Sequence, residues 1–412
     1  MMEWIEFENG TRPMTWELWQ SNMQNFDTLS LKGKEFIPEV VKTLSNILGS
    51  DYLKRCLIIE PKHPLFSVGY PMFNNVPIAI NNLIELSVKL ELGSKQRGWS
   101  RFRKEFTPNC SSKAWNHGMI QLEISGFAAK YGYACEFEPT LSTGKKGDIT
   151  VHTQSGNLFF ETVMLGTSDP FSKADIFYNS MTRFLYNVSM KYGFNIKGEL
   201  KTYPNQEQQI DDILKQLLFI MNLMNFPRIG DSQLLNNEFV NLQITRSNTH
   251  SFPDLTGVHI TTDSWHRLKR CIYEKGRQSS GALNVWLRID EGSGMWAFTP
   301  WANKPLDEKM KLIVPLIKAE LRPFEHVSGI ILSNSSGIYA NAEDNLSIVN
   351  NGNIAIRSVF PVNYFRETII ISRDKSARKA AREIAQWYLE EPHWLDWAMN
   401  HLEMPSISEI IE

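Results

Sequence analysis

The chain has 412 residues, of which 42% are hydrophobic and 21% charged, with 24 glycines and 19 prolines. That is the make-up of a folded protein with ample material for a core, and it excludes a disordered, collagen-like or coiled-coil chain. The formal net charge of −2 excludes a polycation, so any contact with nucleic acid has to come from basic residues gathered locally.

Taken in chain order, residues 1–112 read as a helical N-terminal domain. Apolar residues recur at helical spacing over 35–48, which stops at Gly49, and again over 81–92, which stops at Gly93. Pro61, Pro64, Pro71 and Pro77 mark an irregular crossing between the two. The pattern changes at Trp115. A helix through 117–130 presents Ile120, Ile124, Phe127 and Ala128 on its apolar face, with Gly132 just beyond its end. A strand over 133–138, a loop over 139–147 and a hairpin of 148–152 and 157–165 around the turn 153–156 follow.

Residues 166–262 read as an αβ insertion, with helices over 171–191 and 206–224 and strands over 194–201 and 239–245. The core resumes over 263–333 with a helix that Asp263 caps and that runs to Gln278, a strand over 284–290, a helix over 307–321 that Pro315 should kink, and a strand over 327–332. An αβ extension, 334–412, ends in helix over 374–403 with a break near Pro392. The fold class is α/β, with the core spread over 113–165 and 263–333.

No apolar run reaches the roughly 18 residues of a membrane span; the nearest, over 213–224, is broken by Lys215, Gln216 and Asn222. The acidic start, Met1-Met2-Glu3-Trp4-Ile5-Glu6, lacks the basic residues and apolar stretch of a signal peptide. Cys56, Cys110, Cys135 and Cys271 stand far apart, with no CxxC and no His at zinc spacing. Reduced thiols in a cytoplasmic protein with no membrane partner fit these features. No GxxxxGK[ST] or GxSxG is present, which argues against a phosphate loop or a serine-hydrolase elbow.

The residues that carry chemistry are Glu123 on the first core helix, Asp148 at the start of one hairpin strand and Glu161 on the other. A turn at 153–156 brings Asp148 and Glu161 into cross-strand register. Carboxylates converging at one sheet edge suit a hard divalent cation such as Mg²⁺ or Mn²⁺, with the Thr162 carbonyl as a further ligand. Such an ion acidifies a bound water and offsets charge on a phosphodiester undergoing attack. Glu161 is hard to explain otherwise, since it interrupts the apolar run Leu-Phe-Phe-Glu-Thr-Val-Met-Leu.

Here the sequence resembles the PD-(D/E)XK nuclease superfamily. The family's helix-strand-strand-strand-helix-strand core carries a carboxylate on the first helix, an Asp opening the second strand and (D/E)-x-K on the third. The matching positions are Glu123, Gly147-Asp148 and Glu161-Thr162-Val163. The resemblance implies a restriction endonuclease-like core and Mg²⁺- or Mn²⁺-dependent hydrolysis of DNA in bacterial defence or DNA processing. It departs from the family at Val163, where the lysine belongs. Some members take the lysine from the following helix, and here Lys275 and Gln278 share one face of that helix at i, i+3. Lys275 is therefore the expected replacement.

Lys145 and Lys146, on the loop before Asp148, are open to two readings, phosphate contacts or a solvated turn. The same holds for Arg378 and Arg382, within the basic group Arg373, Lys375, Arg378, Lys379 and Arg382. His117 and His152 have no ligand-spaced partner and read as ordinary polar residues, and Trp387, Trp394 and Trp397 as packing. Two other functions stay open: an inert nuclease-fold subunit that binds nucleic acid or scaffolds, and a sensor of a small ligand or partner protein. A homo-oligomer or a protein partner is compatible with all three.

Overall fold

A nine-stranded mixed sheet carries the candidate site, and two separate stretches of chain build it. The computed structural model describes residues 4–7, 10–13, 15–59, 65, 76–165, 169–249, 251–258, 264–291, 305–334, 337–338, 346–360 and 364–411. The chain divides into two compact units, residues 1–166 with 267–412, and residues 167–266.

The first unit opens with a hairpin, β1 (Trp4–Phe7) and β2 (Gly10–Pro13). Among the described residues the helices α1 (Trp16–Gln24), α2 (Leu31–Leu48), α3 (Tyr52–Ile59), α4 (Val76–Ser94), α5 (Trp99–Phe106) and α6 (Ser112–Lys130) follow. Ser30 caps α2 by accepting from Gly33 N, and Gly49 ends it at φ 104°, a conformation that favours glycine. The antiparallel strands β3 (Ala134–Phe137), β4 (Ile149–Thr153) and β5 (Gly156–Leu165) come next.

The second unit has its own core, made by α7 (Asp169–Tyr192), β6 (Phe194–Leu200), α8 (Gln209–Leu223), β7 (Ser232–Asn236), β8 (Val240–Arg246) and β9 (Asp254–Thr256). Its four strands run in the order β7-β8-β6-β9. The short strands β7 and β9 were not foreseen from the sequence: β9 has only three residues, and β7 buries Leu235 alone of its five, so neither carries an alternating apolar pattern.

The first unit resumes within α9 (Ser264–Gln278), at Arg267, and continues with β10 (Val285–Glu291), α10 (Leu306–Leu321), β11 (Val327–Asn334) and β12 (Gly337–Ile338). It closes with β13 (Leu346–Asn350), β14 (Asn353–Phe360), β15 (Tyr364–Ser372), α11 (Arg378–Leu389), α12 (Trp394–His401) and α13 (Ile407–Ile410). The sheet order is β13-β14-β15-β11-β10-β5-β4-β3, with β12 on β15. β5, β10 and β11 are mutually parallel, and β15 returns antiparallel to β11. Val285, Trp286, Leu287 and Ile289 of β10 are all buried, as a parallel strand covered on both faces requires.

The order α6-β3-β4-β5-α9-β10 follows the elements read from the sequence, and the molecule is α/β. Residues 1–112, expected as a separate helical domain, instead share the unit and the hydrophobic core of the sheet. Trp16, Trp115, Trp387 and Trp394 meet in that core, each no more than 4% exposed. Phe127 of α6 stacks on Trp387 at 5.9 Å between centroids. Asp263, the expected cap of α9, lies outside the described residues. Among the described residues no helix is long and apolar enough to cross a membrane.

The hairpin that sets the site is closed from a distance. The Glu383 carboxylate on α11 accepts from Gln154 N at 3.1 Å, Ser155 N at 3.0 Å and Thr153 Oγ1 at 3.1 Å. Burial alone would raise its pKa, but hydrogen bonds from Ser155, Tyr133 and Thr153 outweigh this and hold it below the ordinary glutamate value. A carboxylate depressed in the folded state stabilises above its unfolded pKa and loses that contribution as pH falls through the folded one. Glu383→Ala is expected to cost about 1–3 kcal/mol at pH 7. The deficit against wild type should shrink as urea unfolding is repeated at progressively lower pH through the carboxylate range. A deficit that does not change with pH would remove the ionised carboxylate from the turn's stability.

Candidate active site

Asp148 stands one residue before β4, opposite Glu161 in the register that pairs Ile149 with Phe160. Gly147 is required ahead of it, because a Cβ there would meet Phe159 Cζ at 1.9 Å. Asp148 Oδ2 accepts from Thr162 N at 2.6 Å and Thr162 Oγ1 at 3.1 Å, and lies 3.2 Å from His117 Nε2 of α6. Lys275, arriving from α9, places Nζ 3.1 Å from Glu161 Oε2 and 3.6 Å from Asp148 Oδ2. Two carboxylates thus share one ammonium, and only 4% of the Glu161 side chain is exposed.

The electrostatics divide the pair. Burial pushes Asp148 up, but the His117 hydrogen bond and charge, the Lys275 ammonium and the Thr162 N–H prevail and hold it well below the usual carboxylate range. Burial also pushes Glu161 up, the Asp148 charge adds to the rise, and Lys275 only partly offsets it. Burial disfavours the Lys275 ammonium, yet Asp148 and Glu161 together keep its pKa above the ordinary lysine value. Carboxylates pushed apart in this way are a mark of functional sites.

Asp148, Thr162 and Lys275 line a cleft of about 720 Å³ with His117, Gln121, Glu138, Lys146, Val163, Glu274 and Gln278 among its walls, while Glu161 is buried and reaches it through Lys275 rather than lining it. Val163 occupies the position expected for a strand lysine and brings no charge; Lys275 brings it from the helix. Lys146 faces the cleft but pairs with Glu138 at 3.1 Å and Glu105 at 3.2 Å. Lys145 lines an adjoining hollow. Neither Arg378 nor Arg382 lines the cleft: Arg378 packs its side chain on the Gly352 turn, while Arg382 is exposed on α11.

Glu123 corrects the expectation. It is not on the cleft wall; its Oε1 lies 3.6 Å from Arg288 Nη2 and its Oε2 3.8 Å from Lys89 Nζ. Arg288 also meets Asp290 Oδ1 at 2.8 Å. Arg288 pairs in register with Thr162, the neighbour of Glu161, so it projects to the opposite sheet face from Glu161. On α6 the cleft side is His117 and Gln121, four residues apart, and Glu123 sits about 200° round the helix from Gln121. His117, Gln121 and Glu138 went unrecognised in the sequence; the i, i+4 pair His117 and Gln121 was the available signal.

Among the described residues, no three His, Cys, Asp or Glu side chains are gathered closely enough to hold a metal by themselves. The donors are hard carboxylate oxygens: Asp148 meets His117, Thr162 and Lys275 through Oδ2, and Glu161 meets Lys275 through Oε2. A strand residue directs its N–H and C=O to the same side, so the Thr162 carbonyl stands on the side where its N–H meets Asp148. Two carboxylates and a carbonyl, with water or phosphate oxygens completing the shell, fit Mg²⁺ or Mn²⁺. No family model, curated protein or solved structure matches this chain.

Proposed function

We propose that this protein is a metal-dependent nuclease of the PD-(D/E)XK type that hydrolyses phosphodiester bonds in DNA. The observation that carries the reading is the Lys275 ammonium within 3.1 Å of Glu161 and 3.6 Å of Asp148, supplied by α9 where the strand offers only Val163. The element order α6-β3-β4-β5-α9-β10 supports it. Asp148, Glu161 and the Thr162 carbonyl would hold Mg²⁺ or Mn²⁺. Such an ion, when bound, supplies an acidified water and charge stabilisation at phosphorus. Thr162 and His117 orient Asp148. Lys275, with Gln278 on the same wall, binds the phosphate and offsets negative charge as it grows.

Lys275→Ala is expected to slow cleavage of supercoiled plasmid in Mg²⁺ or Mn²⁺ by about a hundredfold or more, the usual effect of removing one preorganised charge stabiliser. Unchanged cleavage would remove Lys275 from the mechanism, and a wild-type protein that cleaves neither plasmid nor single strands would remove the nuclease reading. One observation favours a second reading, an inert subunit that binds DNA or scaffolds a partner. The Lys275 ammonium bridges both carboxylates, as in a structural ion triad. Binding of DNA without cleavage selects it.

A further inference from the structure

Beside the cleft lies a second hollow of about 250 Å³, lined by Lys145, Tyr273, Glu274, Arg277 and Gln278. Glu274 and Gln278 border both spaces, so the hollow continues the cleft. Positions 273, 274, 277 and 278 form one face of α9. The loop 139–147 is tied to the chain after α9, where Ser142 Oγ donates to Gly281 O at 2.7 Å. That tie places Lys145 across from Arg277. Arg270 Nε takes the Glu274 charge at 2.7 Å. Among the described residues neither Lys145 nor Arg277 has a carboxylate at ion-pair distance. Tyr273 is 54% exposed. Its ring meets Phe324 edge-on at 5.9 Å and carries the Arg277 guanidinium at 5.7 Å from its centroid.

The geometry points to this hollow as the subsite for the nucleotide that flanks the scissile phosphate, with its base out of the duplex. An exposed aromatic ring braced by a guanidinium is a stacking platform for a base, and a base can reach it only when unpaired. Lys145 and Arg277 supply two cations for the adjoining phosphate. Gln278, shared between the two spaces, fixes the direction in which the strand runs. The substrate class is therefore DNA with an unpaired nucleotide at the cleavage point, such as a single strand, a gap or a flap. This inference rests on the nuclease reading.

Fluorescence anisotropy of a labelled 20-nucleotide single strand and its duplex, in EDTA to suppress cleavage, tests it. Wild type should bind the single strand more tightly than the duplex. Tyr273→Ala should weaken single-strand binding by about tenfold, within the range for loss of one base stack, and leave the duplex unaffected. Tyr273→Phe should bind like wild type. Arg277→Gln should lower the salt slope of single-strand binding by about 0.7, one phosphate contact. Wild type that binds DNA while Tyr273→Ala and Arg277→Gln bind single strand equally well overturns the subsite and leaves the nuclease reading standing, as does a wild type that prefers the duplex. Wild type that binds neither form overturns both.

Discussion

Asp148→Asn is expected to eliminate DNA cleavage, lowering the rate by about a thousandfold or more. A bound metal contributes several kcal/mol to such a reaction, and each 1.36 kcal/mol is tenfold in rate. The amide keeps an oxygen for the Thr162 N–H and hydroxyl, which Asp148 Oδ2 now accepts at 2.6 and 3.1 Å, so the hairpin should still form. What it lacks is the charge. Lys275 is left with Glu161 alone, and a divalent cation finds one carboxylate instead of two. Isothermal titration with Mn²⁺ alone provides a readout independent of turnover, and the variant should show its affinity lost or greatly reduced. A variant that cleaves within tenfold of wild type, or that binds Mn²⁺ as well, would remove Asp148 from the metal centre.

The largest effect on stability should come from Glu367. This carboxylate on β15 is 3% exposed and bridges Lys309 Nζ of α10 at 2.9 Å and Arg357 Nη2 of β14 at 2.8 Å. Lys309 is itself 9% exposed. Removing one member of a buried pair strands the other, so Glu367→Leu should destabilise by about 3–5 kcal/mol, whereas replacing both partners by apolar residues is often neutral. The triple variant Lys309→Met/Arg357→Met/Glu367→Leu, which removes the whole cluster, should recover most of the loss. Urea unfolding of the three proteins measures this. A single variant within 1 kcal/mol of wild type, a value typical of exposed pairs, would show that Lys309 reaches water.

Asp148 and Glu161 were legible in the sequence because a short hairpin with a recognisable turn sets its own register, and Glu161 interrupts an otherwise apolar strand. Lys275 was legible once the gap at Val163 posed the question of where an ammonium could come from. Glu123 was misplaced because its role depends on partners remote in the chain. Lys89 lies on α4 and Arg288 on β10, and no periodicity within α6 announces them. His117 was passed over for the same reason: its carboxylate partner, Asp148, is 31 residues away. The N-terminal helices share the sheet's core through side chains such as Trp16 and Trp19, which a local pattern cannot distinguish from the core of an independent domain. The strands β13, β14 and β15 pair with one another and with β11, and that partnership is what makes them strands.

Glu161 and Lys275 are separated by 114 positions, and the whole of the second unit is strung between them. During synthesis a ribosome that has released the chain through Leu165 has delivered both carboxylates but neither their counter-ion nor β10, the neighbour of β5. The centre is thus assembled in two instalments, acid first and base last. Because the intervening segment has a core of its own, the second instalment need not wait on the collapse of a long coil, only on the return of the chain into α9.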